Sequence, residues 1–149
     1  MKILVTLLCI VLLTGCSTTP VFSEFRAPSE NSAQTGIASP EQISALRDAF
    51  KKLCLDYQLT LNQPQLASSS WLHYYRNYEA HLFHDDSKQK YLVAILTIKE
   101  SRVELSVSSW TPDSGENQKF IQEVAKIFAS VFGERGYSVK RRQEYVVFS

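Results

Sequence analysis

The chain has no surplus of charge, few glycines, and no apolar run long enough to cross a bilayer. Sixteen Lys and Arg stand against 15 Asp and Glu in 149 residues, a net charge of +1. A protein that bound nucleic acid through its phosphates would carry a basic excess, so the balance argues against that partner. Five glycines form no loop that could cradle a phosphate, and no serine sits in a Gly-x-Ser-x-Gly elbow. Neither a cofactor motif nor a catalytic constellation stands out, and a non-enzymatic role is the expectation. No internal repeat is seen.

What is present begins at the N terminus. Met1-Lys2 is a short positive start, and an apolar run from Ile3 to Leu13 follows, broken only by Thr6 and Cys9. Its length suits a signal-peptide core of roughly 7–15 residues and falls short of the ~20 that span a bilayer. Leu13-Thr14-Gly15-Cys16 ends it: an aliphatic residue, two small ones, then cysteine. These residues resemble the lipobox of bacterial lipoprotein precursors. The resemblance covers about the first sixteen residues. It implies lipid attachment to the Cys16 sulfur, cleavage before Cys16, and membrane anchoring. In such proteins the next residue sorts the product, and Ser17 implies the outer membrane, facing the periplasm. Cys9 then leaves with the signal and Cys16 carries lipid. Cys54 is left alone, so no intramolecular disulfide can form. Removing Lys2 with residues 1–15 leaves 15 basic and 15 acidic residues, a neutral mature chain.

Three segments follow: a cleaved signal over 1–15, a lipidated cysteine and flexible tether over 16–39, and one globular domain over 40–149. The stretch 17–39 is rich in Ser, Thr, Pro and Ala, with Val21, Phe22 and Phe25 as interruptions. As a coil it would span about 25 Å.

Ser39-Pro40-Glu41-Gln42 is a helix start. Ile43, Leu46, Phe50, Leu53, Cys54 and Tyr57 then recur at helical spacing, predicting a helix from Pro40 to about Tyr57. Cys54 on that stripe reads as a small core residue. Leu59-Thr60-Leu61 suggests a short extended piece, and 62–70 a loop. Trp71 to Phe83 fits either spacing, and its aromatic content favours a strand. His84 to Gln89 reads as a turn. Tyr91 to Ile98, apolar on both faces except Thr97, predicts a central strand. Lys99-Glu100-Ser101 predicts a tight turn. Alternation at Val103, Leu105 and Val107 predicts a half-buried antiparallel strand. Phe120, Ile121, Val124, Ile127, Phe128, Val131 and Phe132 make the face of a second helix ended by Gly133 and Gly136. Tyr137 to Phe148 reads as a last strand.

The fold class is therefore α+β: a two-layer sandwich in the order α-β-β-β-α-β, an antiparallel sheet of about four strands with two helices on one face. The central order also resembles that of a double-stranded-RNA-binding domain. The export signal, the final strand and the neutral charge do not fit that family.

Candidate sites come from two groups. Alternation sends Trp71 and Tyr75 to the face opposite Tyr74 and Tyr78, so one pair is core and the other, beside His73, is a candidate interaction surface. Arg135, Lys140, Arg141 and Arg142 are the one basic cluster, suited to an acidic partner surface or to blocking edge-to-edge association. His81, His84, Asp85 and Asp86 lack metal-ligand spacing and read as a solvated turn. The expected function is an outer-membrane-anchored lipoprotein acting by contact as an accessory or assembly subunit of an envelope complex. A binding module for a small molecule or glycan is the alternative.

Overall fold

The structure, a computed structural model, describes residues 21–28, 37–62, 71–76, 91–109 and 115–143. It is an α+β two-layer sandwich with two helices on one face of a six-stranded antiparallel sheet. In chain order the elements are β1 (Val21–Ala27), α1 (Pro40–Asp56), β2 (Thr60–Asn62), β3 (Trp71–Arg76), β4 (Leu92–Lys99), β5 (Arg102–Ser109), α2 (Gly115–Phe132) and β6 (Ser138–Gln143). Across the sheet the order is β2-β3-β4-β5-β1-β6.

The expected order of helix, meander, helix and strand is found, with two strands more than the four expected. One is the short piece at Thr60–Asn62. The other corrects the domain boundary. Val21–Ala27, placed by composition in the tether, is a seven-residue strand in the body of the sheet, paired with β5 on one side and β6 on the other. Phe25 and Ala27 are core residues, and Ala38 is buried with its amide bonded to the Ser101 carbonyl at 2.8 Å. The domain therefore starts well before residue 40. A composition averaged over 23 residues diluted a strand whose own pattern is Val21, Ser23, Phe25 and Ala27 inward. Residues 16–20 and 29–36 of the expected tether lie outside the described residues.

The helices form where the spacing places them. Ser39 Oγ accepts from the Gln42 amide at 3.2 Å, and Gln42 Oε1 accepts from the Ser39 amide at 2.9 Å. This closed capping box satisfies two donors that would otherwise be stranded at the helix start. Gly133 ends α2 with φ +76°, a left-handed conformation that costs glycine little, and its amide bonds the Ala129 carbonyl at 2.8 Å. The predicted tight turn also appears. Glu100 and Ser101 join β4 to β5 with φ of 50° and 62°, the positive values that a two-residue type I′ hairpin needs to match strand twist.

The core lies between helices and sheet. Leu72, Tyr74, Leu92, Ala94, Leu96, Val103, Leu105, Val107, Phe25 and Ala27 point from the sheet toward Leu46, Phe50, Phe120, Val124 and Phe128. α1 covers the β3 side, where the Phe50 ring meets Tyr74 edge-on at 5.5 Å. α2 covers the β1 side, where Phe128 lies 5.4 Å from Phe25. The helices run antiparallel: Gln42 Nε2 donates to the Val131 carbonyl at 3.2 Å at one end, and Tyr57 meets Phe120 at 5.2 Å at the other. Asn117 fastens the start of α2 to the sheet, its side-chain amide donating to Ser109 Oγ at 2.9 Å and to the Tyr91 carbonyl at 3.2 Å.

Cys54 is fully buried on the α1 stripe, as expected of a core residue. Desolvation raises its thiol pKa well above the usual range, so it carries no thiolate at neutral pH. Among the described residues no helix is long and apolar enough to cross a membrane.

Candidate functional site: the helix-free sheet face

With both helices on one side, alternate residues of every strand face the other way. The register arranges them in three rows across the sheet. One runs Asn62, His73, Ile95, Ser106, Glu24, Lys140. A second runs Thr60, Tyr75, Val93, Ser108, Phe22, Arg142. The third runs Trp71, Thr97, Glu104, Arg26, Ser138. The face is thus graded, with aromatic side chains toward β3, aliphatic and hydroxyl groups over β4 and β5, and charges over β1 and β6.

At the aromatic side the expectation from alternation holds. Tyr74 is core, while Trp71, His73 and Tyr75 share the helix-free face. Ring centroids are 5.6 Å apart from Trp71 to His73 and 6.3 Å from His73 to Tyr75, both edge-on. Trp71 and Tyr75 are half-buried and His73 between them is buried. Asn62 Nδ2 lies 3.2 Å from His73 Nδ1. With the amide donating, Nδ1 accepts and the ring proton sits on Nε2. Burial pushes the His73 pKa down, because desolvation disfavours the imidazolium. Tyr78, His81, His84, Asp85 and Asp86 lie outside the described residues, as do 77–90 of the predicted strand and turn.

The His73 shift sets a pH dependence. Above the unfolded value of 6.5 both states are neutral there and stability is unaffected. As pH falls below it the unfolded chain takes the proton more readily, so stability is lost. A His73→Phe variant should therefore show a flatter urea midpoint than the parent between about pH 7.5 and 5.5. Equal slopes for the two proteins would refute a buried neutral His73.

At the charged side the sheet holds a network that the sequence reading missed. Glu24, 6% exposed at its side chain, accepts from Arg142 Nη2 at 2.8 Å and from Arg26 Nη2 at 3.4 Å. Arg26 Nε also reaches Glu104 at 3.3 Å. The Arg142 guanidinium lies 5.2 Å over the Phe22 ring, a cation–π distance. Glu24, Arg26 and Phe22 escaped notice because they belong to the stretch read as tether. The usable signal was the alternation of Phe22, Glu24 and Arg26 with Ser23, Phe25 and Ala27.

The basic cluster is divided by the fold. Lys140 and Arg142 share the helix-free face, Arg141 alternates to the opposite one, and Arg135 stands in the exposed turn before β6. The aromatic and basic candidates share a face but lie on strands four steps apart, about 19 Å at the usual strand spacing. Among the described residues no His, Cys, Asp and Glu side chains group in threes as a metal site requires. Comparison with protein-family models, with curated proteins and with solved structures finds no match.

Proposed function

We propose that this chain is a lipoprotein held through Cys16 on the periplasmic face of the outer membrane, where it acts without catalysis as an accessory or assembly subunit that contacts another envelope protein. The observation that carries the address is Leu13-Thr14-Gly15-Cys16 after an apolar core of signal-peptide length. The contact role is supported by the helix-free face, where half-buried Trp71 and Tyr75 offer large ring area at low entropy cost.

Folding of Val21–Ala27 into the sheet changes the geometry of the anchor. Only residues 17–20 separate Cys16 from β1, a reach of at most about 18 Å at 3.3–3.6 Å per residue. The domain then stands close to the bilayer, with the sheet end that carries Val21, Ser109 and Gln143 nearest to it. A partner would be met beside the membrane rather than across the periplasm.

Capture from crosslinked envelopes tests this reading. The lipidated protein should enrich one or more envelope proteins over a Cys16→Ala control. Equal recovery with both would remove the contact-subunit role. The second reading, a module for a glycan or small molecule, draws on the same Trp71, His73 and Tyr75 row, since ring faces suit a sugar. Capture of no protein, together with saturable binding of wall or lipopolysaccharide glycans lost in Trp71→Ala, would favour it.

A further inference from the structure

We infer that the segment following β6, Tyr145-Val146-Val147-Phe148, is a second contact with the lipid surface, seated at the boundary of headgroups and acyl chains beside the anchored cysteine. The inference rests on the lipoprotein reading for the nearness of a bilayer, and on the β1–β6 register for its geometry. Val21, the first residue of β1, pairs with Gln143, the last of β6. The strands are antiparallel, so the chain before β1 and the chain after β6 leave the sheet at the same end, about 5 Å apart at the usual strand spacing. Cys16 is the fifth residue before Val21, and Phe148 is the fifth after Gln143. Either arm reaches at most about 18 Å. A bilayer that takes the lipid of Cys16 is therefore within reach of Phe148 as well.

The side chains select the lipid boundary. Tyr145 to Phe148 is an unbroken run of four apolar and aromatic residues. A strand lying on one surface buries only every second side chain. The boundary between headgroups and acyl chains takes all four, and aromatic rings are favoured there. Charge contributes little. Lys140, Arg141 and Arg142 stand with Glu24 and Glu144, a net +1, and Glu24 already bonds Arg142 at 2.8 Å. Apolar burial carries the contact, so added salt should leave it in place.

Four such residues alone would hold a membrane weakly. Tethered beside Cys16 they meet the bilayer at high effective concentration, and a weak affinity suffices. Two points of attachment in place of one restrict the tilt of the domain. They keep the β4–β5 hairpin, at the opposite end of the sheet from Val21 and Gln143, turned away from the bilayer.

The lipidated protein in vesicles of phosphatidylethanolamine and phosphatidylglycerol, doped with a nitroxide lipid, tests this. A fluorophore is attached at Ser149→Cys or, at the hairpin, at Lys99→Cys. Cys54 is buried and carries no thiolate, so labelling goes to the new thiol. The β4 strand alone sets its two ends about 23 Å apart at 3.3 Å per residue, enough to separate the two labels in depth. The Ser149 label should be quenched several-fold more than the Lys99 label. Tyr145→Ser combined with Phe148→Ser should bring it down to the Lys99 level, with the protein still on the vesicles through Cys16 and the urea midpoint unchanged. Equal quenching of the two labels, in protein whose mass shows the lipid on Cys16, overturns the inference and spares the anchor. Quenching that survives the double substitution also overturns it. So does an unquenched Ser149 label together with a lower urea midpoint in the double variant, which would put the segment on the domain itself. A mass without lipid on Cys16 sinks the anchored reading and this inference with it.

Discussion

Phe25→Ala is expected to destabilise the domain by about 3–5 kcal/mol, the range for a buried phenylalanine cut to alanine. Its ring is 1% exposed and packs on Phe128 at 5.4 Å, and Phe128 in turn touches Phe132 and Tyr137. Removing it opens a cavity where sheet and α2 meet, among buried neighbours. With a urea slope of about 2 kcal/mol per molar, the midpoint should fall by roughly 2 M. Deleting 21–27 should be worse, because β6 would lose its strand partner and β5 one of its two. Phe22→Ala provides the contrast. That ring is half-buried on the other face and its loss should cost less. If Phe25→Ala shifted the midpoint no more than a surface substitution, the placement of β1 inside the sheet would be wrong.

Cys16→Ala is expected to be processed poorly or released from membranes. Each buried methylene of an attached chain contributes ~0.8 kcal/mol, and one chain alone holds only marginally, so stable anchoring depends on two or more. Among the described residues no helix is long and apolar enough to span a bilayer. Metabolic labelling with a palmitate analogue should mark the parent and not the variant. Normal processing and membrane retention of an unlabelled Cys16→Ala protein would overturn the anchor. The domain itself should fold as before, because the substitution lies outside β1 and the other described elements. Poor processing or release, with an unchanged urea midpoint, is therefore the full expected result.

Much of the fold was legible because its signals are local. Ser39 and Gln42 form a capping box in sequence and in space, and Gly133 ends α2 where the apolar spacing stops. β4 is apolar on both faces because it lies between β3 and β5, with Leu92, Ala94 and Leu96 under the helices and Val93 buried on the other side. β5 alternates because one face meets the helices. Its Ser108 is nonetheless buried, which alternation alone would not show.

β1 was the main failure, and the reason is physical. A seven-residue strand flanked by Ser, Pro and Thr has no capping or turn signature of its own. It is held by two neighbours far along the chain, Arg102–Ser109 and Ser138–Gln143. The same non-local pairing hid the charged site. Glu24 and Arg142 are 118 positions apart and meet only because β1 and β6 lie side by side. The aromatic row needed no such contact, since Trp71, His73 and Tyr75 alternate within one strand.

By itself the sequence determined the helices, the central hairpin, the burial of Cys54 and the sorting of aromatic side chains to one face, because each follows from spacing within a single element. The tertiary structure decided that Val21–Ala27 is sheet rather than tether, that Glu24 joins Arg26 and Arg142, and that the basic run is split across a sheet edge. These depend on which strands become neighbours, a choice made by burial of the whole helix-covered face and not by any one segment.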